Sequence, residues 1–138
     1  MSAKVVCTIG VFDMLHVGHV DFLRTAALIG DELVVGIPND ALVERLKGRA
    51  PVIPADYRAD MLLALAFVDR VDVLDTTDYA AWVWRIGPDV LALGVEHTAG
   101  RFALAQRTIE AGGGKAVRIP RSPRESTTDI VRRIKERE

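Results

Sequence analysis

Gly10-Val11-Phe12-Asp13-Met14-Leu15-His16-Val17-Gly18-His19 follows the β-branched run Val5-Val6-Cys7-Thr8-Ile9 and opens a segment of helical period. A strand that gives way to a glycine-led turn and then a helix is the opening of a parallel α/β unit. Histidines three apart share one helical face, and Gly18 between them leaves the backbone open to a ligand. Amides of the helix start point into the same crevice, so phosphate oxygens can bind there without a large net charge. Two imidazoles add donors that stabilise charge growing on a phosphate during transfer. The bland alternative is that both histidines only cap the helix or pack.

Outward from this turn, short apolar runs alternate with longer segments of helical spacing. Strands are expected at residues 5–9, 33–37, 71–74, 90–93 and 116–119, nearly continuous in apolar residues as suits strands buried on both faces. Helices are expected at 17–29, 41–46, 56–67, 79–86, 102–111 and from 128 to the C-terminus. Residues 47–54, with two prolines and a glycine, read as a loop over the sheet's edge. Right-handed crossovers then give one α/β domain over residues 1–138, a doubly wound Rossmann-like five-stranded parallel sheet flanked by helices. Its ligand crevice belongs at the carboxyl ends of the strands, where strand order reverses.

The 138 residues are 49% hydrophobic and 27% charged, the balance of an ordinary globular domain. A net charge of −1 gives no global field for nucleic acid or an anionic membrane, so any phosphate affinity is local. The longest apolar run, residues 61–68, is far shorter than the roughly 18 residues of a bilayer span. Residues 1–9 lack the layout of a signal peptide, and a cytoplasmic protein is expected. The single cysteine, Cys7, can build neither an internal disulfide nor a multi-cysteine metal site and reads as a small buried strand residue.

The stretch from Gly10 to His19 resembles the signature of the HxGH nucleotidyltransferase superfamily, in particular its cytidylyltransferase-like branch. The likeness continues through Leu23-Arg24-Thr25-Ala26-Ala27-Leu28-Ile29-Gly30-Asp31-Glu32-Leu33-Val34-Val35, which is similar to the family's LxxAxxxGDxLVV stretch. Class I aminoacyl-tRNA synthetases share a related motif, but the length of this chain and its lack of a KMSKS-like loop set them aside. The GSFDPxHxGH form of coenzyme A and NAD adenylyltransferases is not matched either, because Met14-Leu15 replaces its proline-containing turn.

The resemblance implies a role for Lys47 and Arg49, on a glycine-containing loop, in holding the phosphates of both substrates. A cationic loop closing over a triphosphate neutralises charge and excludes water. Arg58 matches a recurrent arginine of the family and is expected on the acceptor side, with an ion pair as the alternative. Further on, Ser126 and Asp129 have the spacing of a capping box, so a helix starts there with free amides and hydroxyls. Residues 115–124 carry Lys115, Arg118, Arg121 and Arg124 without an acidic residue, a local basic excess. The segment from Arg121 to Thr128 is similar to the RTxGxSTT segment of glycerol-3-phosphate cytidylyltransferases, which holds the outer phosphates of the nucleotide. Arg121, Ser126, Thr127 and Thr128 carry that likeness; Ser122 stands for the threonine, and Pro123-Arg124-Glu125 departs from the glycine-containing centre.

On the same likeness, Gly94 and Glu96 are expected to read base and ribose, together with Gly10, Val11, Phe12 and Gly18 around the histidines. Gly94 to Phe102 resembles the GDDWxGKF form of the glycerol phosphate enzymes, whereas residues 45–52 resemble heptose-phosphate adenylyltransferases. Leu93 takes the place of a lysine usual in those heptose enzymes, and Ala66 that of a basic residue in the glycerol phosphate enzymes. The nucleotide-side segments favour CTP. An acceptor site is expected around Asp13, Lys47, Arg49, Arg58 and His97. The implied reaction is in-line attack of a small phosphate or phosphonate acceptor, such as glycerol 3-phosphate, on the α-phosphorus of a nucleoside triphosphate, releasing pyrophosphate. His16, His19, Lys47 and Arg121 carry the catalysis, and magnesium arrives with the triphosphate, with Asp13 either orienting a histidine or touching the metal through water. ATP with a heptose 1-phosphate is the alternative chemistry, and a nucleotide-binding protein without chemistry is the alternative class. A homodimer is implied by the family. Trp82 and Trp84, two apart on one helix, cannot share a face, so at least one is expected to be partly exposed or at a subunit contact.

Overall fold

The computed structural model describes residues 3–124 and 126–137. The first two residues of the leader reading, Glu125 of the departing loop centre and the last residue of the C-terminal helix lie outside them. The strands are β1 (Val5–Ile9), β2 (Glu32–Pro38), β3 (Arg70–Leu74), β4 (Val90–Gly94) and β5 (Lys115–Ile119). The helices are α1 (Val17–Leu28), α2 (Asp40–Lys47), α3 (Ala55–Leu63), α4 (Tyr79–Ile86), α5 (Gly100–Ala111) and α6 (Thr127–Glu136). All strand pairs are parallel, in the order β3-β2-β1-β4-β5. Strand order therefore reverses between β1 and β4, which puts the ligand crevice at the ends of those two strands.

Alternation along each strand builds two cores. Val6, Leu33, Val35, Ile37, Val90 and Ala92 face the layer that holds Leu23 and Ala26 of α1 and Leu62 of α3. Their neighbours Cys7, Ile9, Val34, Leu91 and Leu93 face the layer of Tyr79, Trp82, Val83, Phe102 and Ala105. A strand covered on both sides needs apolar residues at both parities, hence the unbroken runs in the sequence. Removing such a side chain, as in Leu23→Ala, costs about 2–5 kcal/mol. At the end opposite the crevice, three aspartates set register: Asp31, Asp69 and Asp89 accept from the amides of Lys4, Leu33 and Val5 at 2.7, 2.8 and 2.9 Å.

Two expectations need correction. The helix expected over 56–67 ends at Leu63, and the chain continues in tight turns, with Leu65 and Val68 donating to Leu62 and Leu65. Leu65, Phe67 and Val68 still pack on the core, so the apolar run outlasts the helix. The segment expected over the sheet's edge crosses the carboxyl ends of the strands instead. Asp13 holds it there, accepting from the amides of Val52 and Ile53 at 2.7 and 2.8 Å. Gly48 provides the left-handed turn (φ 79°) that ends α2 and launches this loop.

Candidate active site

The turn between β1 and α1 is tightly wound. Phe12 and Met14 both adopt the left-handed region, at φ 52° and 48°, which costs a non-glycine residue of order 1–3 kcal/mol each. Gly10 leaves room beneath this turn: a Cβ there would lie 2.7 Å from the Phe12 ring, which would have to shift. The Phe12 ring stands edge-on to His19 with centroids 5.4 Å apart.

His16 is the N-cap of α1. Its Nδ1 accepts from the Gly18 amide at 3.1 Å, and Nδ1 of His19 accepts from the His16 amide at 3.2 Å, a capping box built from imidazoles. With each Nδ1 accepting from backbone, the hydrogen of a neutral ring sits on Nε2. Burial, then the neighbouring His16, lower the His19 pKa to about 4, against a smaller opposing pull from Asp13. At neutral pH His19 is therefore an uncharged donor.

Both rings line a crevice of about 730 Å³, within the size range of small-molecule sites. Gly10, Val11, Phe12, Asp13, Gly18, Lys47, Arg49, Gly94, Glu96, His97, Arg121, Ser126, Thr127 and Thr128 line it too. Of the residues expected at the site only Arg58 is absent from this wall. It is 1% exposed, and its guanidinium donates to the carbonyls of Ile53, Val11 and Pro38 and to Asp40 Oδ1, all at 2.8–3.0 Å. Arg58 knits the loop, the first turn and the end of β2 together, with four of its five N–H donors engaged and almost no surface exposed to an acceptor.

The basic segment also divides. Lys115 starts β5 at the far end of the sheet. Arg118 donates to the carbonyls of Gly94 and His97 at 2.9 and 2.8 Å, fixing the turn after β4. Arg124 pairs with Asp21. Arg121 alone of the four lines the crevice, and it makes no hydrogen bond or ion pair to another described residue. At the start of α6, Ser126 Oγ accepts from the Asp129 amide at 3.2 Å and donates to the Asp129 carboxylate at 3.0 Å. The cap forms, but the return bond goes to the hydroxyl and not to the backbone expected of a capping box.

His97 is held by an acceptor bond from the Gly94 amide at 3.1 Å and by stacking on Phe102, centroids 4.5 Å apart. Burial, outweighing the pull of Glu96, lowers its pKa. Sequence reasoning missed Arg101, Tyr79 and Phe22, which also line the crevice. Arg101 lies over the Tyr79 and Phe102 rings, and its buried Nε has no hydrogen-bond partner. Its signal was present in Gly100-Arg101-Phe102, a cation at a helix start beside the strand end. For a metal, the described residues contain no cluster of three His, Cys, Asp or Glu side chains, and both Asp13 oxygens already accept amides. The fit of these described residues is thus poor for a resident metal cage.

Paired imidazoles at the switch point of a parallel sheet, in one crevice with a basic loop and a hydroxyl-capped helix start, define an enzyme of the nucleotidyltransferase class. A family model described as cytidylyltransferase-like matches residues 7–133, and the chain belongs to that family. It is 40% identical over 132 residues to the FAD synthase of Thermococcus kodakarensis, covering 92% of this chain and 89% of that protein. The bifunctional protein HldE of Syntrophotalea carbinolica is 39% identical over 134 residues, covering 96% of this chain but 27% of its own length. This chain therefore spans about a quarter of that relative and most of the synthase. Among solved structures, a lipopolysaccharide core biosynthesis protein from Thermoplasma volcanium GSS1 superposes with a TM-score of 0.74 at 29% identity, over 90% of this chain and all of that one. No helix among the described residues is long and apolar enough to cross a membrane.

Proposed function

We propose that the chain transfers a nucleoside monophosphate from a nucleoside triphosphate to a small phosphate monoester. An acceptor oxygen attacks the α-phosphorus, the bond from that phosphorus to the bridging oxygen breaks, and pyrophosphate leaves with the electron pair. The observation that carries this reading is the pair of imidazoles, His16 and His19, each held at Nδ1 by a backbone amide, in one crevice with Arg121 and the α6 start. The two imidazoles stabilise charge on the α-phosphoryl oxygens, Lys47 and Arg49 orient the reacting phosphates, and Arg121 with Ser126, Thr127 and Thr128 receives the pyrophosphate. Magnesium arrives on the triphosphate as part of the substrate.

ATP is the favoured nucleotide. A synthase of FAD joins adenylate to a phosphate monoester, and such relatives match this chain over nearly their whole length at 36–41% identity. CTP is the second reading, supported by the family's description and by the likeness of residues 94–102 and 121–128 to cytidylyltransferases. We place the enzyme in the cytoplasm and read it as a homodimer, which light scattering at working concentration tests.

The deciding assay is pyrophosphate release with magnesium, pairing ATP, CTP, GTP and UTP with FMN, heptose 1-phosphate, glycerol 3-phosphate, phosphocholine and phosphoethanolamine. Release in the ATP row is expected. Release confined to CTP transfers the assignment to the cytidylyl reading, and nucleotide binding with a silent grid replaces catalysis by a binding role.

A further inference from the structure

Asp21, two residues beyond His19, reaches the loop between β5 and α6 across more than a hundred positions of sequence. Its Oδ2 accepts from Ser122 Oγ at 2.7 Å and from Arg124 Nε at 2.9 Å, and its Oδ1 accepts from Arg124 Nη2 at 2.5 Å. Ser122 Oγ in turn accepts from the Arg124 amide at 3.2 Å, so this hydroxyl is engaged as both donor and acceptor. The guanidinium fork is bidentate, the geometry that adds direction to charge. Ser122, Arg121 and Ser126 line the crevice, whereas Asp21 and Arg124 stand outside it.

From this arrangement we infer that Asp21 is a positioning residue that, through Ser122 and Arg124, ties the phosphate-binding loop to α1 so that Arg121 faces the paired histidines. The inference rests on the nucleotidyl-transfer reading and deepens it at the pyrophosphate end of the substrate. The loop from Pro120 to Ser126 contains no glycine, and its centre, Pro123-Arg124-Glu125, departs from the glycine-containing form of the motif. The constraint on this loop therefore comes from outside it, through Asp21 of α1. The hydrogen bonds from Arg124 and Ser122 hold the Asp21 carboxyl well below the ordinary range, so the tie stays charged across neutral pH. Arg124 is more than half exposed, and an exposed pair of this kind adds little to global stability. The consequence is local: the aim of Arg121, not the integrity of the fold.

The test is calorimetric titration of the full chain with ATP and with AMP, in magnesium, on wild type, Asp21→Asn, Ser122→Ala, the charge exchange Asp21→Arg with Arg124→Asp, and Arg24→Gln. Arg24 lies 3.8 Å from Asp21 and makes no hydrogen bond to the described residues of the loop, so it controls for charge alone. Asp21→Asn and Ser122→Ala are expected to weaken ATP about tenfold, the scale of one misdirected charge-assisted contact, and to leave AMP unchanged. The exchange restores ATP affinity, and Arg24→Gln matches wild type. ATP affinity unchanged in Asp21→Asn, or AMP weakened in step with ATP, overturns the tie. A wild type that binds neither ATP nor CTP overturns the nucleotidyl reading itself, and the tie with it.

Discussion

His16 and His19 stack with ring centroids 3.7 Å apart and planes inclined by 23°, each also accepting a backbone amide at the start of α1. The nitrogen that caps the helix dictates which nitrogen carries the hydrogen of a neutral ring. Cap and donor can therefore be separated by substitution.

His16→Asn performs that separation. Asparagine is among the best N-caps, so α1 should keep its start and the melting free energy should stay within about 1 kcal/mol of wild type. The Nε2 donor is gone, and turnover should fall about 10²–10³-fold, the usual loss for one preorganised donor. His16→Ala should lose both cap and donor. Turnover retained in a folded His16→Asn protein would remove the histidine from the chemistry.

The depressed pKa of His19 sets a second expectation. Between about 4 and the ordinary value of 6.5 the unfolded chain binds more protons than the folded one, so stability rises with pH across that window. His97, lowered mainly by burial, acts with the same sign. Thermal melts should thus show full stability above pH 6.5 and loss toward pH 4. In an NMR titration the His19 ring should stay neutral through pH 6; a midpoint near 6.5 would contradict the burial that holds it.

Much of this was legible beforehand, and the reasons are physical. Residue parity and helical period decide which faces are covered, so β1 and α4 begin and end where the pattern places them. Trp82 and Trp84 show the same rule: Trp82 is 2% exposed and donates to Asp72, while Trp84 is 73% exposed. Hydrogen-bond partners far apart in sequence are a different matter. Nothing local in Asp56-Tyr57-Arg58 announces that three carbonyls from three segments converge on that guanidinium. Likewise, a run without acidic residues concealed that Asp21 lies opposite Arg124.

Arg58 should accordingly behave as a structural residue. Arg58→Met leaves the carbonyls of Ile53, Val11 and Pro38 without their buried donor and should cost about 3–5 kcal/mol. Lysine cannot supply the planar fork and should recover little. Denaturant melts check this, and an Arg58→Met protein as stable as wild type with acceptor binding abolished would return the residue to the site.

Asp13 gives the last expectation, because its two oxygens are committed to the amides of Val52 and Ile53. Asp13→Asn retains one acceptor and turns an amide donor toward a backbone N–H, so one bond is lost and the other opposed. The loop that follows Lys47 and carries Arg49 should then lose its seat over the crevice, and KM should rise for both nucleotide and acceptor. A metal-binding role predicts something different: a defect that shifts when manganese replaces magnesium. Initial-rate kinetics with both ions separate the two, and a loss equal in each ion assigns Asp13 to the loop.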